Sequence, residues 1–122
     1  MINLAGKNVL VVEDEQMNFI YIKQIFNLTG GNITRVMTGQ AAIDICREKT
    51  FDLVLMDIQL PDISGIQATK AIRLFLPDIP IIAQTACRSQ TELDEVLVAG
   101  CNSILLKPFK IDEFSRIVGE LL

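Results

Sequence analysis

A doubly wound α/β fold, one parallel sheet with helices on both faces, is what this chain predicts. Three observations carry that reading. Short apolar runs alternate with helix-like segments five times over. Half of the 122 residues are hydrophobic, as strands buried on both faces require. Glycine and proline mark the junctions, with no linker, repeat or low-complexity segment between them. A chain of this length is expected to form one domain, residues 1–122, and to bury a core without staples.

Lys7-Asn-Val-Leu-Val-Val-Glu13 is the first expected strand, and Glu15 to Thr29 the first helix, stopped by Gly30-Gly31. Ile33 to Met37 is a short second strand, and Thr38-Gly39 leads into a helix from Gln40 to Lys49. The third strand runs from Asp52 to Met56, with Asp57 closing the apolar run that begins at Phe51. Ser64-Gly65 opens a third helix that ends before Pro77, since a residue preceding proline avoids the helical region. Pro80 to Gln84 is the fourth strand, followed by a helix that starts at Ser89 or Gln90 and ends at Gly100. Ser103 to Leu106 is the fifth strand and Lys110 to Leu122 the closing helix. Five such units fit a flavodoxin-like (βα)5 three-layer sandwich with strand order 2-1-3-4-5.

In that topology ligands bind at the carboxyl ends of the strands, beside the switch point. The polar residues of this chain fall there: Glu13-Asp14 after strand 1, Asp57 ending strand 3, Thr85 after strand 4 and Lys107-Pro108 after strand 5. An ionised group at the edge of a buried sheet is unfavourable unless something pairs with it. Strand 2, outside the switch point, ends in the uncharged Met37-Thr38-Gly39.

Several classes of chemistry are excluded. The chain has no histidine, so imidazole acid–base catalysis and imidazole metal sites are ruled out. A net charge of −4 with no basic run argues against direct nucleic-acid binding. No apolar run approaches the ~20 residues that span a bilayer, and Met1 to Lys7 lacks the apolar core of a signal peptide. Cys46, Cys87 and Cys101 have no metal-like spacing and read as reduced thiols of a cytoplasmic protein. What remains is oxygen chemistry. Three clustered carboxylates repel one another unless a cation joins them, and Mg2+ is the ion that oxygen ligands without His or Cys suit best. Asp57 is then placed to attack phosphorus and form an acyl phosphate, with the Lys107 ammonium and the Thr85 hydroxyl against the transferred oxygens.

The chain resembles the receiver domains of response regulators in two-component phosphorelays over essentially its whole length. The resemblance rests on Val11-Val12-Glu13-Asp14, on Leu55-Met56-Asp57-Ile58-Gln59-Leu60-Pro61 with Ser64-Gly65 following, on Ala83-Gln84-Thr85-Ala86, and on Leu106-Lys107-Pro108-Phe109. It implies that Asp57 accepts phosphate from the phosphohistidine of a histidine kinase or phosphotransfer domain. It implies Mg2+ held by Asp14, Asp57 and the Gln59 carbonyl, with Glu13 acting through water. It further implies that Thr85 moves as the switch and that the Lys107–Pro108 bond is cis. The wording around Asp14 and Asp57 looks most like receivers attached to hybrid sensor kinases, which can tether the domain to a membrane-bound sensor. A free-standing regulator is the alternative.

Three positions depart from the family pattern. Glu13 replaces the commoner Asp, Ile104 stands where many receivers carry a switching aromatic, and Cys87, two residues after Thr85, is expected to line the approach to Asp57 with Gln59. With no histidine, the donor is expected in another domain or protein; with no basic surface, the output is expected to pass through a downstream protein partner. The domain is expected not to be an enzyme, beyond acting on its own phosphorylation. A phosphohydrolase with an aspartate nucleophile would need a second Asp where Gln59 stands, and a never-phosphorylated pseudo-receiver would lack part of the acidic set. Glu13-Asp14 can also cap the first helix. That helix is expected to bury Asn18, Tyr21, Ile22, Ile25 and Leu28, leaving Phe19, Ile20 and Phe26 either as a docking surface for a helical histidine-bearing partner or covered by the closing helix.

Overall fold

In the computed structural model, which describes residues 2–122, the expected alternation is present. The order is β1 (Asn8–Val12), α1 (Gln16–Thr29), β2 (Asn32–Val36), α2 (Gly39–Glu48), β3 (Leu53–Asp57), α3 (Gly65–Arg73), β4 (Ile81–Thr85), α4 (Gln90–Ala99), β5 (Ser103–Leu106) and α5 (Ile111–Leu121). All strand pairs are parallel and the sheet order is β2-β1-β3-β4-β5. Strands β3 and β4 are buried along their whole length, as a two-sided sheet demands.

Alternation along the strands divides the core in two. Leu10, Val12, Val54, Met56, Ile81 and Ala83 face α2, α3 and α4; Val9, Val11, Leu53, Leu55, Ile82 and Leu105 face α1 and α5. Local signals set the helix ends. Thr38 caps α2 through Ala41 N at 3.0 Å, and Ser64 with Gln67 forms a capping box on α3. Gly30 ends α1 in the left-handed conformation, φ 82°. Helix α3 stops at Arg73, earlier than Pro77 alone requires. The chain tightens there into bonds from Leu74 N to Ala71 O and Phe75 N to Ile72 O. Arg73 itself is drawn away to Gly100 O, Leu76 O and Asn102.

Helix α1 departs most from expectation. Its buried residues are Ile22, Ile25, Phe26 and Thr29, while Leu28 is 66% exposed and Tyr21 38%. Phe26 belongs to the core because α5 covers it: its ring meets Phe114 edge-on, centroids 5.3 Å apart. The docking alternative therefore fails for Phe26. Phe19 is half-buried with the Arg35 guanidinium 4.2 Å over its ring, and Ile20 is exposed. Asp14 does not cap α1 either. Glu15 does, accepting from Met17 N and Asn18 N, while Glu13 accepts from Glu15 N at 3.2 Å. Among the described residues no helix is long and apolar enough to cross a membrane, and all three cysteines are unpaired.

Candidate functional site

The parallel register brings the ends of β1, β3 and β5 to one edge, and their last polar side chains meet there. Asp57 closes β3 with almost no exposed surface, so its carboxylate must be satisfied from within. One oxygen accepts from Gln59 N at 3.0 Å, the other from Lys107 Nζ at 3.0 Å. Lys107 also reaches Glu13 Oε1 at 3.5 Å. Its position follows from the turn after β5, where Lys107 N donates to Thr85 O at 2.8 Å and the Lys107–Pro108 peptide is cis.

Glu13, Asp14 and Asp57 each offer a carboxylate oxygen, and these lie within 4.8 Å of one another. A single ammonium faces them. Burial pushes the Glu13 carboxyl above its ordinary value and the neighbouring Asp57 adds to this, while Asn18 and the Lys107 charge pull it back. This excess of negative charge, made only of oxygen donors, fits a hard divalent cation such as Mg2+. Asp14, Glu15, Asp57, Gln59, Leu60, Pro61 and Lys107 line a cleft of about 380 Å³ above it. The β3–α3 loop that forms one wall is fastened by Asp62, which accepts from Gly39 N and Gln40 N at 2.8 and 2.9 Å. Those two backbone donors hold the Asp62 carboxyl below its ordinary value.

Asp14, Asp57, Gln59 and Lys107 line one cleft, and Glu13 lies buried beside them with its carboxylate against Asp14, Asp57 and Lys107. Thr85 sits at the neighbouring strand end, buried, with its hydroxyl accepting from Cys87 N at 3.0 Å, and it does not line the cleft. Cys87 does not line the cleft either; its Sγ accepts from Ser89 N. Ile104 is half-buried against the core of the α2, α3 and α4 side.

Two residues of the site escape sequence reasoning. Asn18, expected in the helical core stripe, donates to Glu13 Oε1 and, at 3.2 Å, to Gln84 Oε1. Gln84, expected only as a strand residue, is fully buried and donates to Glu13 Oε1 at 3.4 Å. The available signal was a lone amide ending the apolar run Ile81-Ile82-Ala83.

A family model described as the response regulator receiver domain matches residues 9–118. The polar-differentiation response regulator DivK of Brucella ovis is 33% identical over 118 residues, 95% of this chain and 96% of DivK. Among solved structures, the receiver domain of sensor histidine kinase PA1611 from Pseudomonas aeruginosa, with a magnesium ion coordinated in its active site cleft, superposes with a TM-score of 0.89 at 36% identity, covering 96% of this chain and 98% of that one. The receiver domain of the Saccharomyces cerevisiae response regulator Ssk1, crystallised with the histidine phosphotransfer protein Ypd1, gives a TM-score of 0.87 at 32% identity, with 97% and 90% covered.

Proposed function

This chain belongs to the response regulator receiver family and is a receiver domain of two-component signalling; from that premise we propose that Asp57 is its phosphoacceptor. One observation carries the assignment: a buried Asp57 carboxylate held between Lys107 Nζ and Gln59 N, with Glu13 and Asp14 beside it. In the step proposed, an Asp57 oxygen attacks phosphorus and the P–N bond of a phosphohistidine breaks. Its electron pair goes to the departing imidazole, which takes up a proton. Lys107 stabilises the charge on the transferred oxygens, and the leucine and proline walls restrict water. Asp14, Asp57 and the Gln59 carbonyl would hold Mg2+, with Glu13 behind them through water; when bound, the ion neutralises charge on the phosphoryl oxygens. The Thr85 hydroxyl would exchange Cys87 N for a phosphoryl oxygen, shifting the β4–α4 loop and β5.

The donor proposed is a histidine kinase or phosphotransfer domain, as Ypd1 is found with the Ssk1 receiver. It would dock on the apolar cleft of about 530 Å³ lined by Met17, Tyr21, Pro108 and Phe109 beside the acidic site. The first reading of context is the receiver of a hybrid kinase, supported by the likeness to the PA1611 receiver; the end-to-end match to DivK supports a separate regulator as the second. Three free thiols support a cytoplasmic location. The test is incubation with acetyl phosphate and Mg2+, read by intact mass, with Asp57→Asn as control. One phosphoryl group on the wild type and none on Asp57→Asn is expected; equal labelling of both refutes the assignment.

A further inference from the structure

Gln84 ends an otherwise apolar buried strand, and no step of the phosphoryl chemistry uses it. Its register partner in β3 is Asp57, so both side chains leave the sheet on the same face. Burying an amide is unfavourable unless its hydrogen bonds are made, and here both ends are engaged. Gln84 Nε2 donates to Glu13 Oε1 at 3.4 Å, and Gln84 Oε1 accepts from Asn18 Nδ2 at 3.2 Å. Asn18 Nδ2 also donates to that same Glu13 oxygen. The three side chains form a closed set spanning β1, α1 and β4, with β3 and its Asp57 between.

We propose that Gln84 and Asn18 are positioning residues for the divalent cation, holding the buried Glu13 carboxylate in the orientation that keeps its charge beside Asp14 and Asp57. The proposal rests on reading the acidic cluster as a Mg2+ site. Glu13 has no solvent-exposed surface, so in the folded chain its orientation depends on the protein donors around it. Lys107 Nζ and Glu15 N also reach this carboxylate, so loss of an amide leaves Glu13 less firmly oriented and its charge less well placed beside the site. The same contacts join the start of α1 to the strand that ends in Thr85, so the acidic pair and the proposed switch strand are held as one unit.

The test is a Mg2+ titration of the full chain, following the amide signals of Asp14, Asp57 and Gln59 by NMR, with metal-free melting temperatures measured alongside. Gln84→Met and Asn18→Ala are each expected to weaken Mg2+ binding about tenfold, as outer-shell substitutions do. The double variant is expected to bind no more than marginally weaker than the worse single variant, because both amides act on one carboxylate. A wild type that binds no Mg2+ overturns the metal-site reading itself. A wild type that binds while Gln84→Met keeps the same affinity, or single effects that multiply in the double variant, overturns the positioning role alone. A lowered metal-free melting temperature with unchanged Mg2+ affinity reports a structural amide and overturns it too. Should Gln84→Met fail to fold, Gln84→Asn, whose amide is one methylene short of Glu13, takes its place with the same expected and overturning results.

Discussion

Gly65→Ala should damage both the fold and the proposed acceptor site, and the structure says why. Gly65 opens α3 directly above the end of β3, where its N–H donates to Ile58 O at 2.8 Å. A Cβ at residue 65 would lie 2.2 Å from Asp57 O, 2.8 Å from Ile58 Cα and 3.0 Å from Asp57 C. Real contacts stay beyond 3.0 Å, so strand and helix must part by at least 0.8 Å (3.0 less 2.2). Every atom in the way is backbone, and none can rotate aside. Overpacking of this kind costs about 2–3 kcal/mol. With an unfolding entropy of about 2.1 cal/mol/K per residue, or roughly 0.26 kcal/mol/K for the chain, Tm falls by about 8–12 °C. Because the displaced atoms belong to Asp57, the rate of phosphorylation by acetyl phosphate should fall about 100-fold. Gly39→Ala is the internal comparison. Its Cβ would meet Ile63 Cγ1 at 2.5 Å, a side-chain atom of a half-buried residue that can yield by a χ1 change where backbone cannot, and should cost about 1 kcal/mol, less than Gly65→Ala. Circular dichroism melts and intact-mass time courses measure both variants. A Gly65→Ala protein that melts within about 2 °C of wild type, or a Gly39→Ala protein that loses more, would show that the backbone at the end of β3 yields to a Cβ.

Glu13→Gln tests the electrostatics. The folded Glu13 carboxyl keeps its proton to higher pH than the unfolded one, whose ordinary value is 4.5, so metal-free stability falls as pH rises through 4.5 and the folded value, and stays lower above. The glutamine variant should therefore melt above wild type at pH 7 without metal, with the gap closing below pH 4.5; a gap independent of pH would count against this account. Met17→Glu, at a position 70% exposed on the apolar cleft, should slow transfer from a histidine phosphotransfer partner but leave acetyl phosphate labelling unchanged; equal losses with both donors remove the docking surface. Phe26→Ala should cost about 3–5 kcal/mol while Leu28→Ala stays within about 0.5 kcal/mol, measured by urea unfolding; the reverse order would restore the core stripe expected from the sequence.

The sheet was legible because its strands leave few options. Apolar runs such as those of β1, β3 and β4, each followed by or ending in a polar group, can be buried on both faces only if helices cover them, and the strand order then follows from right-handed crossovers. Helix α1 was less legible because apolar residues occupy nearly every side of it: Met17, Phe19, Ile20, Tyr21, Ile22, Ile25, Phe26 and Leu28. Periodicity alone cannot choose a face when several qualify. The choice is made by α5, which closes the sequence and brings Phe114 against Phe26. A guanidinium from β2 likewise covers Phe19, a contact between residues 16 positions apart that no local pattern announces.

The same distinction explains which parts of the site could be read. A carboxylate at the end of an apolar strand is anomalous in the sequence itself, since burying its charge without a partner is prohibitive. Glu13, Asp57 and Lys107 therefore point to one another before any fold is known. An amide carries a smaller penalty, and its presence near a strand end or in a helix is ordinary. Asn18 and Gln84 become anomalous only once the register fixes Gln84 opposite Asp57 and α1 lays Asn18 over the same edge. Charged residues of a site are thus visible one by one, whereas the neutral residues that orient them are visible only as a set. For this chain the set has Glu13 at its centre, and the carboxylate that looks peripheral in the sequence is the one with the most side-chain donors upon it: Asn18, Gln84 and Lys107.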